Sequence, residues 1–176
     1  MKKNTTYKIV CSALCLALAM VLPFLTGQIP QIGKMLCPMH IPVFLCGFVC
    51  GWPWGLTVGF AAPLLRSLWL SMPLIFPDAA AMAFELAVYG LVSGLLYRRL
   101  PKKVSSIYIA LIAAMVCGRV IWGVARLIFA GIQSTSFTFS SFIAGALTTA
   151  IPGIIVQLVL IPLVVLALRR AKLLAE

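Results

Sequence analysis

Long apolar runs, separated by short polar stretches, fill almost the whole chain. Most of the runs reach the roughly 20 residues that an α-helix needs to cross the hydrocarbon core of a bilayer. The pattern predicts an all-α integral membrane protein that forms a single membrane domain over residues 1–176. Six transmembrane helices are expected, at about 7–26, 40–51, 55–72, 79–97, 105–132 and 142–168.

The first apolar run, 7–26, has a second interpretation as a signal peptide. Met1-Lys2-Lys3 precedes it, and the run contains the small-residue pair Ala17-x-Ala19. The apolar stretch continues past this pair without a polar cleavage region, which favours a transmembrane helix.

The second and third runs could form one kinked helix or two helices. Between them lies GWPWG at 51–55, in which glycine and proline favour a turn and tryptophan suits a membrane interface. If the N-terminus and the basic run 98–103 are both cytoplasmic, an even number of crossings must separate them. Two separate helices satisfy this condition, so the second helix is predicted to be a short crossing of its own.

Composition excludes most soluble functions. Hydrophobic residues make up 63% of the chain and charged residues 10%, and a soluble domain of 176 residues cannot bury so much apolar surface. The net charge of +11 would otherwise suggest nucleic acid. However, ten of the fourteen Lys and Arg residues lie in three clusters that flank apolar runs, namely Lys2/Lys3/Lys8, Arg98/Arg99/Lys102/Lys103 and Arg169/Arg170/Lys172. The positive-inside rule then places both termini in the cytoplasm.

Four charged residues fall inside predicted helices: Arg66, Glu85, Arg119 and Arg126. A charge in the middle of a membrane helix costs at least about 2.5 kcal/mol, so it usually faces a cavity or a partner. Arg119 and Arg126 are seven residues apart and share one helix face. Three arginines against one glutamate leave a surplus of two positive charges, which favours an anionic ligand because arginine matches carboxylate and phosphate.

The alternative is structural: Glu85 joins two helices while another arginine extends to the interface. The sequence leaves open which arginine pairs with Glu85. Two further residues are candidates for ligand contact, Lys34 in the first outer loop and Gln157 in the last helix, where helix packing is an equal possibility. For His40 and Asp78, at outer helix starts, interface or cap roles are favoured.

No motif for an energy source is present. The stretch 27–35, GQIPQIGKM, has five residues between its glycines and Met35 after Lys34, so it is not a phosphate-binding loop. No cofactor or metal site is predicted. The chain is therefore expected to bind a molecule whose movement other proteins must power. Two alternatives remain: an assembly subunit without a ligand, and a small lipid-modifying enzyme whose only acid/base pair would be Glu85 with His40.

Three segments carry a resemblance to a known family. These are 38–60 (PMHIPVFLCGFVCGWPWGLTVGF), 63–68 (PLLRSL) and 82–101 (MAFELAVYGLVSGLLYRRLP). They resemble the substrate-binding (S) component of energy-coupling factor (ECF) vitamin transporters. In the first helix, Ala13 and Ala17 are similar to the small-xxx-small motif by which these components dock on their transmembrane coupling partner.

The resemblance implies a six-helix subunit of the bacterial cell membrane that captures a vitamin or vitamin precursor from outside. It also implies association with a transmembrane coupling (T) subunit and two cytoplasmic ATPases. These partners would use ATP, so the chain itself would be neither an enzyme nor a cofactor-binding protein. Among the family's substrates, the surplus positive charge favours an anionic molecule, and pantothenate is the first candidate.

Overall fold

The computed structural model of the protein describes residues 4–26, 35–134, 138–145, 149–171 and 174. These residues are predominantly helical, with no β-strand among them. The helices in chain order are α1 (Thr5–Val21), α2 (His40–Cys50), α3 (Trp52–Leu70), α4 (Ala80–Arg99), α5 (Val104–Ile132), α6 (Phe139–Ile143) and α7 (Ile151–Arg170). A tighter 3₁₀ turn, Leu22–Thr26, follows α1, and a wide turn, Ile75–Ala79, precedes α4.

Four helical segments in the described part of the chain are long and apolar enough to cross a membrane. They are Thr5–Phe24, Ile75–Arg99, Val104–Ile132 and Ile151–Arg170. The second helix, α2, is apolar but has only 11 residues, a length of about 17 Å at 1.5 Å per residue. The short second helix that the sequence predicts is therefore present as a separate element, while the number of crossings remains a prediction.

Gly51 separates α2 from α3. Its φ of 93° lies in the region that favours glycine, so the chain can turn there within a single residue. The sequence predicted a turn over 51–55 and a helix from residue 55. In the structure α3 already begins at Trp52, because Pro53 lies in its first turn, where a missing N–H is tolerated.

The last predicted helix, 142–168, also differs from the structure. The structure has the short helix Phe139–Ile143 and the long helix Ile151–Arg170 in its place. The Thr138 hydroxyl accepts a hydrogen bond from the Ser141 N–H and caps the short helix. Pro152 lies in the first turn of α7, which suits a helix start rather than a helix interior.

Helix α4 lies at the centre of the packing, against α3, α5 and α2. Glycines allow the close approach: a Cβ atom on Gly55 of α3 would lie 2.6 Å from the Gly90 carbonyl oxygen of α4. A Cβ atom on Gly47 of α2 would lie 2.7 Å from the same oxygen. Small residues of this kind bring membrane helices into backbone contact. As a result, the polar side chains of α4 are enclosed by its neighbours.

Candidate functional site

Glu85 is the centre of a buried polar cluster between α2, α4 and α5. Glu85 is only 1% exposed. The Oε1 atom accepts a hydrogen bond from the Tyr89 hydroxyl at 2.6 Å and forms an ion pair with Arg119 Nη1 at 3.0 Å. His40 and Cys37 complete the group, which we call the Glu85 cluster. Its charged members therefore compensate each other inside the helix bundle.

Arg119 is the arginine that pairs with Glu85, which the sequence had left open. Its side chain is 16% exposed, and its Nη2 atom lies 3.9 Å from the Cys37 Sγ atom. The preceding residue, Gly118, faces the Tyr89 ring so closely that an added Cβ atom would overlap it. The Gly118-Arg119 pair thus makes room for the tyrosine and supplies the cation that faces Glu85.

His40 is part of the cluster, and the prediction of an interface or cap role for it was wrong. The residue is 3% exposed, and its Nδ1 atom contacts the Cys37 carbonyl oxygen rather than an N–H group of the first turn of α2. Its ring lies 5.3 Å from the Tyr89 ring, centroid to centroid, and its Nε2 atom lies 3.7 Å from Glu85 Oε1. Packing of α2 against α4 turns the ring inward, which a local helix-start pattern does not reveal.

Arg126 forms a separate ion pair with Asp78. The Arg126 Nη1 and Asp78 Oδ1 atoms are 2.6 Å apart, and the two side chains are 26% and 36% exposed. Of the interface and cap roles favoured for Asp78, the cap role was wrong, because its carboxylate binds Arg126 and no side-chain cap is formed at either helix start beside it. The interface role stays a prediction. The turn Ile75–Ala79 contacts α5, where the Phe76 and Phe129 rings lie 4.8 Å apart. Asp78 also changes the charge count: three arginines against two carboxylates leave one surplus positive charge, not two.

Arg66 hydrogen-bonds to a different part of the molecule. Its Nη1 atom donates to the Met20 carbonyl oxygen of α1 at 2.9 Å, and its guanidinium lies over the Phe24 ring at 5.5 Å. The predicted site residue on α3 therefore holds the end of α1, in addition to any ligand contact. Gln157 is buried on α7, which packs against α2 and α5. Lys34 lies outside the described residues.

From the sequence, three members of the Glu85 cluster were assigned to no substrate site: His40, Tyr89 and Cys37. His40 was named beside Glu85 only as the acid/base pair of the enzyme alternative. A signal existed for Tyr89, since a spacing of four residues from Glu85 places both on one helix face. His40 and Cys37 lie more than forty positions before Glu85. Only the packing of α2 on α4 brings them to the carboxylate.

A second feature is an open apolar groove between α1 and α3. It has a volume of about 580 Å³ and is lined by Ala13, Leu16, Ala17, Met20, Leu65, Leu68 and Trp69. Its α1 wall consists of Leu16, Met20 and the two alanines, which are spaced one helical turn apart. We call this surface the α1–α3 groove. Its shape suits an apolar helix that approaches α1 closely.

Comparison with known proteins gives one positive result. The family model described as "ECF transporter, substrate-specific component" matches residues 7–165. No curated protein and no solved structure matches this sequence. The matched region includes the Glu85 cluster and the α1–α3 groove, and it extends from α1 into α7. The chain therefore belongs to the family of ECF transporter substrate-specific components.

Proposed function

We propose that this protein captures a vitamin or vitamin precursor from outside the cell and presents it to an ATP-driven ECF importer. The observation that carries the proposal is the family match over residues 7–165. Members of this family are transporter subunits rather than enzymes, and they associate with a T component and ATPases. In this proposal the ATP is bound by the two partner ATPases, and the chain itself needs no cofactor.

The proposed topology has six crossings with both termini in the cytoplasm of a bacterial cell. It is supported by the basic clusters that flank the apolar segments and by the four helical segments of sufficient length. Helix α2 is too short to cross a core of about 30 Å by itself. The α3 and α4 helices that pack on it would shield its ends from lipid.

We place the substrate site at the Glu85 cluster and the neighbouring Arg126. Ionisable groups within membrane helices are costly and usually serve a function. Arg119 and Arg126 lie on one face of α5, about 10.5 Å apart along the helix axis at 1.5 Å per residue. Exposure increases from Glu85 through Arg119 to the Arg126–Asp78 pair. A ligand could therefore approach along this face.

Three arginines against two carboxylates support an anionic substrate. Arginine offers a bidentate contact to a carboxylate or phosphate, and Arg126 is the more exposed of the two arginines on α5. Pantothenate is the first compound to test. Lys34 and Gln157 stay candidate contacts. Arg66 is also a candidate, through those N–H donors of its guanidinium that its hydrogen bond to the Met20 carbonyl oxygen does not use.

Docking to the T subunit is proposed at the α1–α3 groove through Ala13 and Ala17. The support is these two small side chains on the α1 wall and the apolar, exposed side chains of the α3 wall. The groove lies between α1 and α3, whereas the Glu85 cluster lies between α2, α4 and α5. Binding of a substrate and binding of the T subunit should therefore be separable by mutation.

The decisive experiment measures ligands directly. Small molecules released from the purified protein are identified by mass spectrometry, and each is tested for thermal stabilisation of the ligand-free chain. A ligand that binds only the folded state must raise its stability. We expect one vitamin-like compound to stabilise the wild type, and the Arg126→Ala variant to respond less.

Arg170→Ala, at the far end of α7, is the matched control and should respond like the wild type. If no compound is released and none stabilises the chain, the protein is an assembly subunit rather than a substrate-binding one.

A further inference from the structure

One ring nitrogen of His40 has a hydrogen-bond partner among the described residues and the other has none. The Nδ1 atom lies 3.1 Å from the Cys37 carbonyl oxygen, and because a carbonyl only accepts hydrogen bonds, Nδ1 carries a proton. The Nε2 atom is buried and has no hydrogen-bond partner in the part of the chain that the structure describes. Buried polar atoms without a partner are rare, and each calls for an explanation.

The described groups around the ring offer no acceptor within hydrogen-bond distance for a proton on Nε2. Glu85 Oε1 lies 3.7 Å from Nε2, too far for a hydrogen bond, and it already accepts from Tyr89 and Arg119. Arg119 matches the charge of Glu85. A second proton on the imidazole would therefore add an uncompensated cation inside the membrane, which is costly. His40 is then the Nδ1–H tautomer, and Nε2 presents a bare lone pair.

We infer, building on the proposed function, that the captured molecule donates an N–H or O–H hydrogen bond to His40 Nε2. The lone pair and the Glu85 carboxylate form an acceptor surface that only a donor can satisfy. Arg119 and Arg126 are the donors for the anionic end of the same molecule. The substrate class is thus a small anion that also has a hydroxyl, amide or ureido group.

The candidate vitamins differ in whether they carry both an anionic group and a hydrogen-bond donor. Pantothenate has a carboxylate together with hydroxyl and amide N–H donors, and biotin has a carboxylate together with ureido N–H donors. Nicotinate has a carboxylate but no hydrogen-bond donor at neutral pH. A site built around a buried hydrogen bond rejects analogues that lack the matching group. We therefore expect nicotinate to be excluded although it is an anion.

The first test compares pantothenate, biotin, nicotinate and any molecule released from the purified chain by their thermal stabilisation of the full-length protein. The best compound is then titrated on the wild type and on two variants. His40→Phe removes both nitrogens, whereas His40→Gln keeps an acceptor oxygen near the Nε2 position. We expect the affinity to fall by about tenfold or more in H40F and by less in H40Q, as the loss of one buried hydrogen bond predicts.

Phe48→Leu, a change elsewhere on the buried face of α2, is the matched control and should leave the affinity unchanged. Equal affinity of H40F and the wild type would overturn the inference, and so would nicotinate as the best ligand; the proposed function would survive both results. If nothing stabilises the wild type, the proposed function itself fails. Should H40F not fold, H40Q and the measurement below decide.

The second test uses the single histidine of the chain. Nitrogen-15 labelling of histidine gives one imidazole whose two nitrogens report protonation and hydrogen bonding. We expect one protonated nitrogen in the ligand-free protein, and a shift of the bare nitrogen when the best compound binds. Two protonated nitrogens in the ligand-free protein, or a bare nitrogen that does not respond to bound compound, would contradict the inference.

Discussion

The Glu85 cluster and the α1–α3 groove differ in burial and in polarity. The cluster is buried and polar, and its ionic groups satisfy one another through short contacts. The groove is open and apolar; two alanines, Leu16 and Met20 border it on α1, and large apolar residues border it on α3. The charged groups of the cluster are paired within the protein. The groove can bind another helix only through apolar packing.

This difference predicts how each region should respond to mutation. Charges in a low-dielectric interior interact strongly, so the loss of one partner affects the stability of the whole fold. An apolar groove that faces lipid contributes little to the fold, because lipid can replace a protein partner there. Mutations in the cluster should therefore act on stability and ligand binding, and mutations in the groove on assembly.

The largest effect is expected for Arg119→Ala. This variant leaves the Glu85 carboxylate buried without its cation, which should lower the free energy of unfolding by about 3–5 kcal/mol. Denaturant unfolding in detergent measures this loss. The double variant E85Q/R119M removes both charges and should recover most of the stability. Similar losses in the single and double variants would show that the ion pair is not the cause.

A smaller effect is expected for Arg66→Ala, which removes the hydrogen bond to the Met20 carbonyl oxygen at the end of α1. A hydrogen bond to a charged group contributes about 1.5–3 kcal/mol, so the unfolding free energy should fall by that amount. Ligand affinity should fall only if Arg66 is also a substrate contact. The detergent assay and a ligand titration measure the two effects separately. Unchanged stability would contradict the role of Arg66 at α1, and a tenfold loss of affinity would place Arg66 in the substrate site, as the sequence predicted.

Ala17→Leu should act on assembly. The larger side chain fills the α1–α3 groove, and we expect binding of the T subunit to weaken by about tenfold or more, equivalent to about 1.4 kcal/mol. Stability and ligand affinity should not change. Co-purification with the T subunit and the ATPases measures the effect, and Ala13→Leu should behave alike.

Leu14→Phe is the matched control for the groove, because Leu14 is exposed on α1 but does not line the groove. It should assemble like the wild type. Normal assembly of both alanine variants would show that the T subunit docks on another surface.

The smallest effect on stability is expected for Arg126→Ala. Its ion pair with Asp78 is partly exposed, and such pairs contribute about 0–1 kcal/mol. Thermal unfolding should thus be nearly unchanged, while ligand affinity falls if Arg126 contacts the anion. Asp78→Asn is the control, since it removes the pair but keeps the arginine. Unchanged affinity in R126A would exclude Arg126 from the substrate site.

Much of the fold could be predicted because apolar length and glycine or proline positions are local signals. The bounds of α4 and α5 agree with the predicted 79–97 and 105–132 to within two residues. The start of α3 at Trp52 was missed because proline serves equally in a turn and in a first helical turn. The site was harder, since spacing along one helix shows which residues share a face but not what lies opposite.

The sequence by itself determined that this is a helical membrane protein with charges inside its helices, because hydropathy and charge do not depend on packing. It also contained the residues by which the family was matched. Only the tertiary structure decided that Glu85 forms an ion pair with Arg119 and that Asp78 forms one with Arg126. The structure alone showed that His40 faces inward and that its Nε2 atom has no hydrogen-bond partner among the described residues. Such pairings depend on which helices pack together and on how far each is shifted along its axis relative to its neighbour. The sequence of a single helix does not contain that information.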